Sequence, residues 1–345
     1  MQGLKVPGLK VQGSRLEERV AFLNERRLPA VVTAEAGESL ATLLDEEREA
    51  LEALRRRHGA VLFRGFDLRT ADDFRAAASQ AFDNDLRNYV GGVSPRGQVM
   101  AGVYESTRFP AHIRIPQHNE MAYLPDPPRG LAFFCELPPR HGGETPLADS
   151  RVIYDLVPAE VRALFEQDAI SYHRYLYGPG WNIHCRNRNR IAGLHTSWMA
   201  AFATKDRAVV EQACAENGST VEWDSEEGAK INNVLAAVRR HPDTGEMLWF
   251  NQAVTFLRSP RSSGLLTWLL YQAAYPSPLR RPFHATFGNG RAITHAQLDA
   301  VHEAIESATV RFRWERGDLL LVDNYLVTHG RMPFRGKRRI LVAIH

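Results

Sequence analysis

Asp318-Leu319-Leu320-Leu321-Val322-Asp323-Asn324-Tyr325-Leu326-Val327-Thr328-His329-Gly330-Arg331 is the stretch on which the fold reading turns. Leu319 to Val322 form a strongly apolar strand, bounded by Gly317-Asp318 before and Asp323-Asn324 after, residue types that favour turns. Val310 to Trp314 precede it as another short strand. Beyond it, Arg338-Arg339 opens Ile340-Leu341-Val342-Ala343-Ile344, a buried strand. The end of the chain is therefore all strand and turn.

Working backward, Leu131 to Leu137 is a core strand closed by Pro138-Pro139, and Val221 to Trp223 and Met247 to Trp249 are shorter ones. Helices come between: Ala148 to Asp168, Asp206 to Glu216, Ser262 to Ala274 and Thr294 to Ser307. Tyr172 to Trp198, rich in Arg, Asn, His and aromatics, has no local assignment. Leu40, Leu43, Leu44, Leu51 and Leu54 mark one amphipathic helix over Ser39 to Arg57, stopped by Gly59. Ala60 to Phe63 is a buried strand, and Thr70 caps a helix over Ala71 to Phe82. Many short strands with inserted helices, and no Gly-rich strand-to-helix phosphate loop, predict an α+β chain with a mainly β core. A jelly roll with helical insertions fits. No composition break marks a linker, so 1–345 reads as a single domain: an α+β cover over 1–90 and the jelly-roll core over 91–345.

Residues 83–130 are irregular, and in their middle lies Ile115-Pro116-Gln117-His118-Asn119-Glu120-Met121-Ala122-Tyr123. Ile113, Ile115 and Pro116 favour an extended backbone. On an extended chain His118 and Glu120 point the same way, whereas on a helix they diverge by roughly 200°. The pair can supply two corners of a metal site. A second histidine would complete a two-His-one-carboxylate face with open positions, the arrangement suited to iron(II) and oxygen. His329, after the apolar strand and before a Gly that allows close backbone approach, is the candidate. The competing His241-Pro242-Asp243 sits in His-Pro-Asp-Thr-Gly-Glu and reads as a reverse turn.

Thirteen histidines and forty acidic residues make such pairings common by chance, so the wider chain must discriminate. A net charge of +3 among 83 charged side chains gives no reason to expect nucleic acid. Cys135, Cys185 and Cys214 are odd in number and widely spaced, which points away from a disulfide scaffold and toward a reducing, cytoplasmic setting. No run approaches the roughly 18 apolar residues of a membrane span. An arginine aimed into a barrel from Arg338-Arg339 needs an anion, and the far carboxylate of a chelating keto diacid would provide one.

These stretches together resemble the iron(II)/2-oxoglutarate dioxygenases of the taurine dioxygenase superfamily, and most of all its clavaminate synthase-like and SyrP-like branch, which carries Glu in place of Asp. The matching segments are Gln117 to Glu120, Gly142-Gly143-Glu144-Thr145, His241 to Glu246 with Trp249-Phe250-Asn251-Gln252, and Asp323-Asn324 through His329 to Arg339-Ile340. The resemblance implies a double-stranded β-helix with iron(II) on His118, Glu120 and His329. It also implies 2-oxoglutarate held by Thr145 and Arg339, and molecular oxygen as cosubstrate. Sulfonate-using members carry a further Arg four residues after the cosubstrate Arg. Ala343 stands there in this chain, which argues against taurine. Glu120 likewise separates the chain from related halogenases, which have a small residue there.

The expected activity is hydroxylation of an aliphatic carbon of an amino acid, free or tethered to a carrier protein, in secondary metabolism. A non-amino-acid small carboxylate is the alternative substrate. Arg114, Asn119, Asn251 and Arg331, with the Arg186 to Arg190 segment, are the candidates to meet the substrate. A non-catalytic jelly-roll binding protein and a zinc hydrolase are the competing classes. The intact ligand set disfavours the first, and the second lacks a general base.

Overall fold

The computed structural model describes residues 16–87, 97–106, 109–179 and 195–345. Eight strands build its centre: β1 (Val103–Glu105), β2 (Ile115–His118), β3 (Gly130–Leu137), β4 (Thr145–Asp149), β5 (Val310–Phe312), β6 (Leu319–Asp323), β7 (Val327–Arg331) and β8 (Arg339–Ile344). One sheet runs β1-β8-β3-β6 and the other β5-β4-β7-β2. Successive strands switch sheets at every step except β4 to β5. This is the strand order of a jelly roll.

Period-two alternation explains the two cores. Phe133 and Cys135 of β3, Leu320 and Val322 of β6, and Ile340 and Val342 of β8 point between the sheets. Their neighbours Ala132, Phe134, Leu319, Leu321, Leu341 and Ala343 point to the outer face. Both faces are buried, which is why these strands read as unbroken apolar runs. The outer face is covered by α1 (Leu40–Glu46), α2 (Arg48–His58) and α3 (Ala71–Ala81) through Leu43, Leu51, Leu54 and Phe74. Phe74 stacks on Phe134 at 5.5 Å. Each such fully buried side chain contributes about 1.5–3 kcal/mol.

The helix expected over Ser39 to Arg57 is two helices, with the chain bending at Glu47 (φ −108°, ψ 21°) so that each half lays its own leucines on the sheet. Gly59 ends α2 at φ +73°, and a Cβ there would sit 2.3 Å from Val327 Cγ2 of β7. Thr70 caps α3 in a reciprocal box with Asp73. The strands of the cover also join the jelly roll's sheet. Ala60–Arg64 pairs with β6, Leu62 opposite Leu320, and Val20–Phe22 and Ala30–Thr33 extend the sheet further.

Residues 150–309 form the insertion between β4 and β5. It starts with α4 (Ser150–Leu156) and α5 (Ala159–Gln167), and continues through α6 (Arg207–Glu216), α7 (Leu265–Ala274) and α8 (His295–Ala308). Within it lies a four-stranded sheet ordered Thr220–Trp223, Ala229–Leu235, Ile170–Leu176, Phe283–Phe287. Three of those strands were not anticipated. In Ala229–Leu235 the buried residues alternate with polar ones, so no apolar run betrays the strand. No helix among the described residues is long and apolar enough to cross a membrane.

Candidate metal centre

His118 and His329 face each other as register partners of β2 and β7, with ring centroids 4.6 Å apart. The strands come together there because of Gly330. A Cβ at that position would lie 2.6 Å from the Ile115 carbonyl oxygen. The close approach that this glycine permits is to β2 itself, not to a ligand. His118 Nδ1 lies 2.9 Å from the Pro116 carbonyl oxygen. A carbonyl only accepts, so the proton sits on Nδ1 and Nε2 keeps its lone pair.

Glu120 completes the group: one donor atom from each of His118, Glu120 and His329 falls within 4.8 Å of the others. Glu120 Oε2 is 3.6 Å from His329 Nε2, and the two residues are 4% and 5% exposed. The expected shared strand face is corrected in one respect. β2 ends at His118, and Glu120 opens a turn in which Met121 has φ +53°. The missing ladder bonds are replaced by one side chain. Asn324 Oδ1 accepts from the Glu120 amide at 2.6 Å, while Nδ2 donates to the Glu120 carbonyl at 3.0 Å and to the Pro128 carbonyl at 2.8 Å.

The preceding residue anchors that side chain's backbone. Asp323 Oδ1 accepts from the amides of Tyr325 and Leu326, and Oδ2 from His241 Nε2 at 3.2 Å. His241 Nδ1 in turn accepts from the amides of Asp243 and Thr244, so the His241 turn serves as a buttress. Gln252 donates to the Asn119 carbonyl. Two imidazoles and a buried carboxylate suit a divalent iron ion. With His329 Nε2 given to a cation, its proton rests on Nδ1. That atom is buried without an acceptor, its ring 5.1 Å from that of Phe133.

The histidines open on a cavity also lined by Ser106, Phe109, Ile115, Phe133, Thr145, Arg331, Arg338 and Ile340. Thr145 Oγ1 accepts from Trp314 Nε1 at 3.0 Å, which directs its own proton elsewhere. Arg338 takes the place expected of Arg339. Ile340 and Val342 face inward, so alternation turns Arg338 in and Arg339 out, where it pairs with Glu136 and is 42% exposed. Arg338 donates to the Gly143 carbonyl at 3.2 Å, and burial, followed by the Arg331 charge, lowers its pKa to about 10. Ala343 likewise faces the helical cover; the inward position four residues after Arg338 is Val342.

Of the substrate candidates among the described residues, only Arg331 reaches this cavity. Its guanidinium donates to the carbonyls of Phe109, Pro110 and Ile113, and burial lowers its pKa to about 10. Arg114 pairs with Glu306 of α8, outside the cavity. Asn119 donates to the Asn324 carbonyl at 2.6 Å, and Asn251 donates to Ala237 and accepts from the Ala253 amide. Asn251 is thus engaged with backbone through both ends of its amide, whereas Asn119 holds backbone only through Nδ2, its Oδ1 being buried without a partner. Arg186 to Arg190 and Cys185 lie outside the described residues. Cys135 and Cys214 are buried free thiols, and burial pushes Cys135 up to about 12.

Sequence reasoning missed the backbone contacts of Asn324 and Gln252 and the inward position of Arg338. Counting alternate positions back from Ile344 would have found the last of these.

A jelly roll that sets two histidines on facing strands against one carboxylate defines a mononuclear metal oxygenase. Residues 24–345 match the Taurine catabolism dioxygenase TauD, TfdA family, and the chain belongs to it. It is 34% identical to the dapdiamide synthesis protein DdaC of Enterobacter agglomerans, over 83% of this chain and 82% of that one. A clavaminate synthase-like protein of Arabidopsis thaliana is 31% identical, over 86% and 84%. Among solved structures, AAD-2 in complex with Mn(II) and N-oxalylglycine shares the fold. Its TM-score is 0.53 at 15% identity, covering 94% of this chain and 95% of that one. PvcB from Pseudomonas aeruginosa gives 0.51 at 15%, over 91% and 84%. The protein is thus an iron(II)- and 2-oxoglutarate-dependent oxygenase acting on a small molecule with molecular oxygen.

Proposed function

We propose that this single-domain, cytoplasmic oxygenase hydroxylates an aliphatic carbon of an amino acid, with His118, Glu120 and His329 holding the iron. The convergence of one donor atom from each of those three side chains to within 4.8 Å of the others supports the assignment most directly. The bound metal, with 2-oxoglutarate and oxygen, supplies the oxidising chemistry and releases succinate and carbon dioxide. Arg338 pairs with the far carboxylate of 2-oxoglutarate, and the Thr145 hydroxyl donates to it. Phe109, Ile115, Phe133 and Ile340 keep water from the reacting carbon.

The amino-acid reading draws on the relatives: one takes part in dapdiamide synthesis and another is clavaminate synthase-like. The absence of an arginine at Val342 and Ala343 argues against a sulfonate. The substrate is free or presented on a carrier protein. A succinate-release screen with iron and 2-oxoglutarate, offering each amino acid free and loaded on a carrier domain, tests this. Turnover should add one oxygen to the product mass. Oxidation of taurine with no amino acid turned over would overturn the substrate class.

A further inference from the structure

The cavity holds more positive charge than its own residues balance. Arg331 is 4% exposed, and no carboxylate of the described residues lies within ion-pairing distance of it or of Arg338. The stretches outside the described residues contain no Asp or Glu. All of the acceptors that Arg331 has are carbonyls of the 109–113 loop, and its Nε is buried without any. A buried guanidinium left without an anion is costly, and two beside one cavity raise each other's cost.

Formal charges make the same point. Two arginines and a divalent ion, less the Glu120 carboxylate, leave three positive charges. 2-Oxoglutarate removes two of them. One monoanion restores neutrality.

We infer that Arg331 is the substrate's anchor and that the substrate carries a free carboxylate, which completes the hydrogen bonding of that guanidinium. This rests on the dioxygenase reading given above. Arg331 follows His329 by two residues on β7, and both line the cavity. Two strand steps span ~6.6 Å, so the carboxylate sits a short carbon chain away from the metal-facing histidine. An amino acid bound this way keeps its carboxylate. One tethered to a carrier through that carboxylate could not use the anchor unless it had a second acid group.

The test uses the full chain loaded with Mn(II) and 2-oxoglutarate, titrated by calorimetry with acetate and with its neutral analogue acetamide. Acetate should bind at least tenfold more tightly than acetamide. Arg331→Met should lower acetate affinity at least tenfold while leaving 2-oxoglutarate affinity within twofold. Arg331→Gln, which can still donate to a loop carbonyl, should behave like the Met variant and guards against misfolding of the latter. Arg331→Lys should restore most of the preference for acetate. Equal binding of the two probes, or acetate affinity that survives both neutral variants, would overturn the anchor. So would a parallel loss of 2-oxoglutarate affinity, which would make Arg331 a cosubstrate residue. Failure of wild-type protein to take up 2-oxoglutarate at all would instead sink the reading of the site, and this inference with it.

Discussion

Asn324 grips Glu120 by both of its backbone groups, accepting from its amide at 2.6 Å and donating to its carbonyl at 3.0 Å, across 204 residues of sequence. The candidate metal carboxylate is thereby held by a neighbouring turn rather than by its own strand. Replacing Asn324 with Ala removes three hydrogen bonds to buried backbone, at about 1 kcal/mol each. Asn324→Ala should lose roughly 2–4 kcal/mol in urea unfolding. Mn(II) affinity, measured by calorimetry, should fall at least tenfold. Unchanged metal affinity in a folded variant would show that Glu120 does not need this clamp.

The facing histidines carry the next prediction. Anaerobic addition of iron(II) and 2-oxoglutarate should give a weak visible band in the wild-type protein. His118→Ala and His329→Ala should each abolish it and turnover together. Persistence of the band in either variant would remove that residue from the ligand set.

Gly330 lets β7 pass β2, and an added Cβ would meet the Ile115 carbonyl at 2.6 Å. That contact is to backbone, which cannot swing aside. Gly330→Ala should therefore cost about 1–3 kcal/mol of stability, the usual penalty of overpacking. It should also spread the histidines and weaken Mn(II) binding, whereas Gly290→Ala, with open space around its Cβ position, should leave metal binding as it is.

How far the sequence could be read follows from what kind of information each residue needs. His118 and His329 are legible as candidates because the first stands two residues from Glu120 on an extended stretch and the second follows a strongly apolar strand. β3, β6 and β8 are legible because burial on both faces leaves unbroken apolar runs. Arg338 is not legible from motif spacing. Spacing from His329 does not separate it from Arg339, and only alternation counted back along β8 through Val342 and Ile340 does. Asn324 is invisible for another reason: its role depends on a partner that only the folded chain brings near. The strand Phe283–Phe287 hides because His284 and Thr286, on its other face, leave no unbroken apolar run.

Exchange of roles between the two arginines can be measured. A hydrogen bond to a charged group contributes about 1.5–3 kcal/mol, so Arg338→Ala should raise the apparent KM for 2-oxoglutarate at least tenfold. Arg339→Ala should change it less than threefold, since Arg339 sits outside in a half-exposed pair with Glu136. The reverse order would restore the assignment that motif spacing suggests.

Stability should also fall on the acid side, for a reason remote from the metal centre. His195 is 6% exposed, with Nε2 donating to the Tyr175 carbonyl at 2.8 Å, and burial pushes its pKa down to about 4. The unfolded chain takes up a proton near 6.5, where the folded protein resists it. The contribution of this residue is therefore complete above pH 6.5 and is lost as pH falls from there toward 4. At pH 5 the loss from one such group is roughly 1–2 kcal/mol. His58 and His284, also held near 4 by burial, act in the same direction. Urea unfolding between pH 7.5 and 5 should show the decline, and His195→Phe should make it shallower whatever its stability at pH 7.5. A slope unaltered by that substitution would mean that His195 accepts its proton in the folded protein as readily as in the unfolded chain.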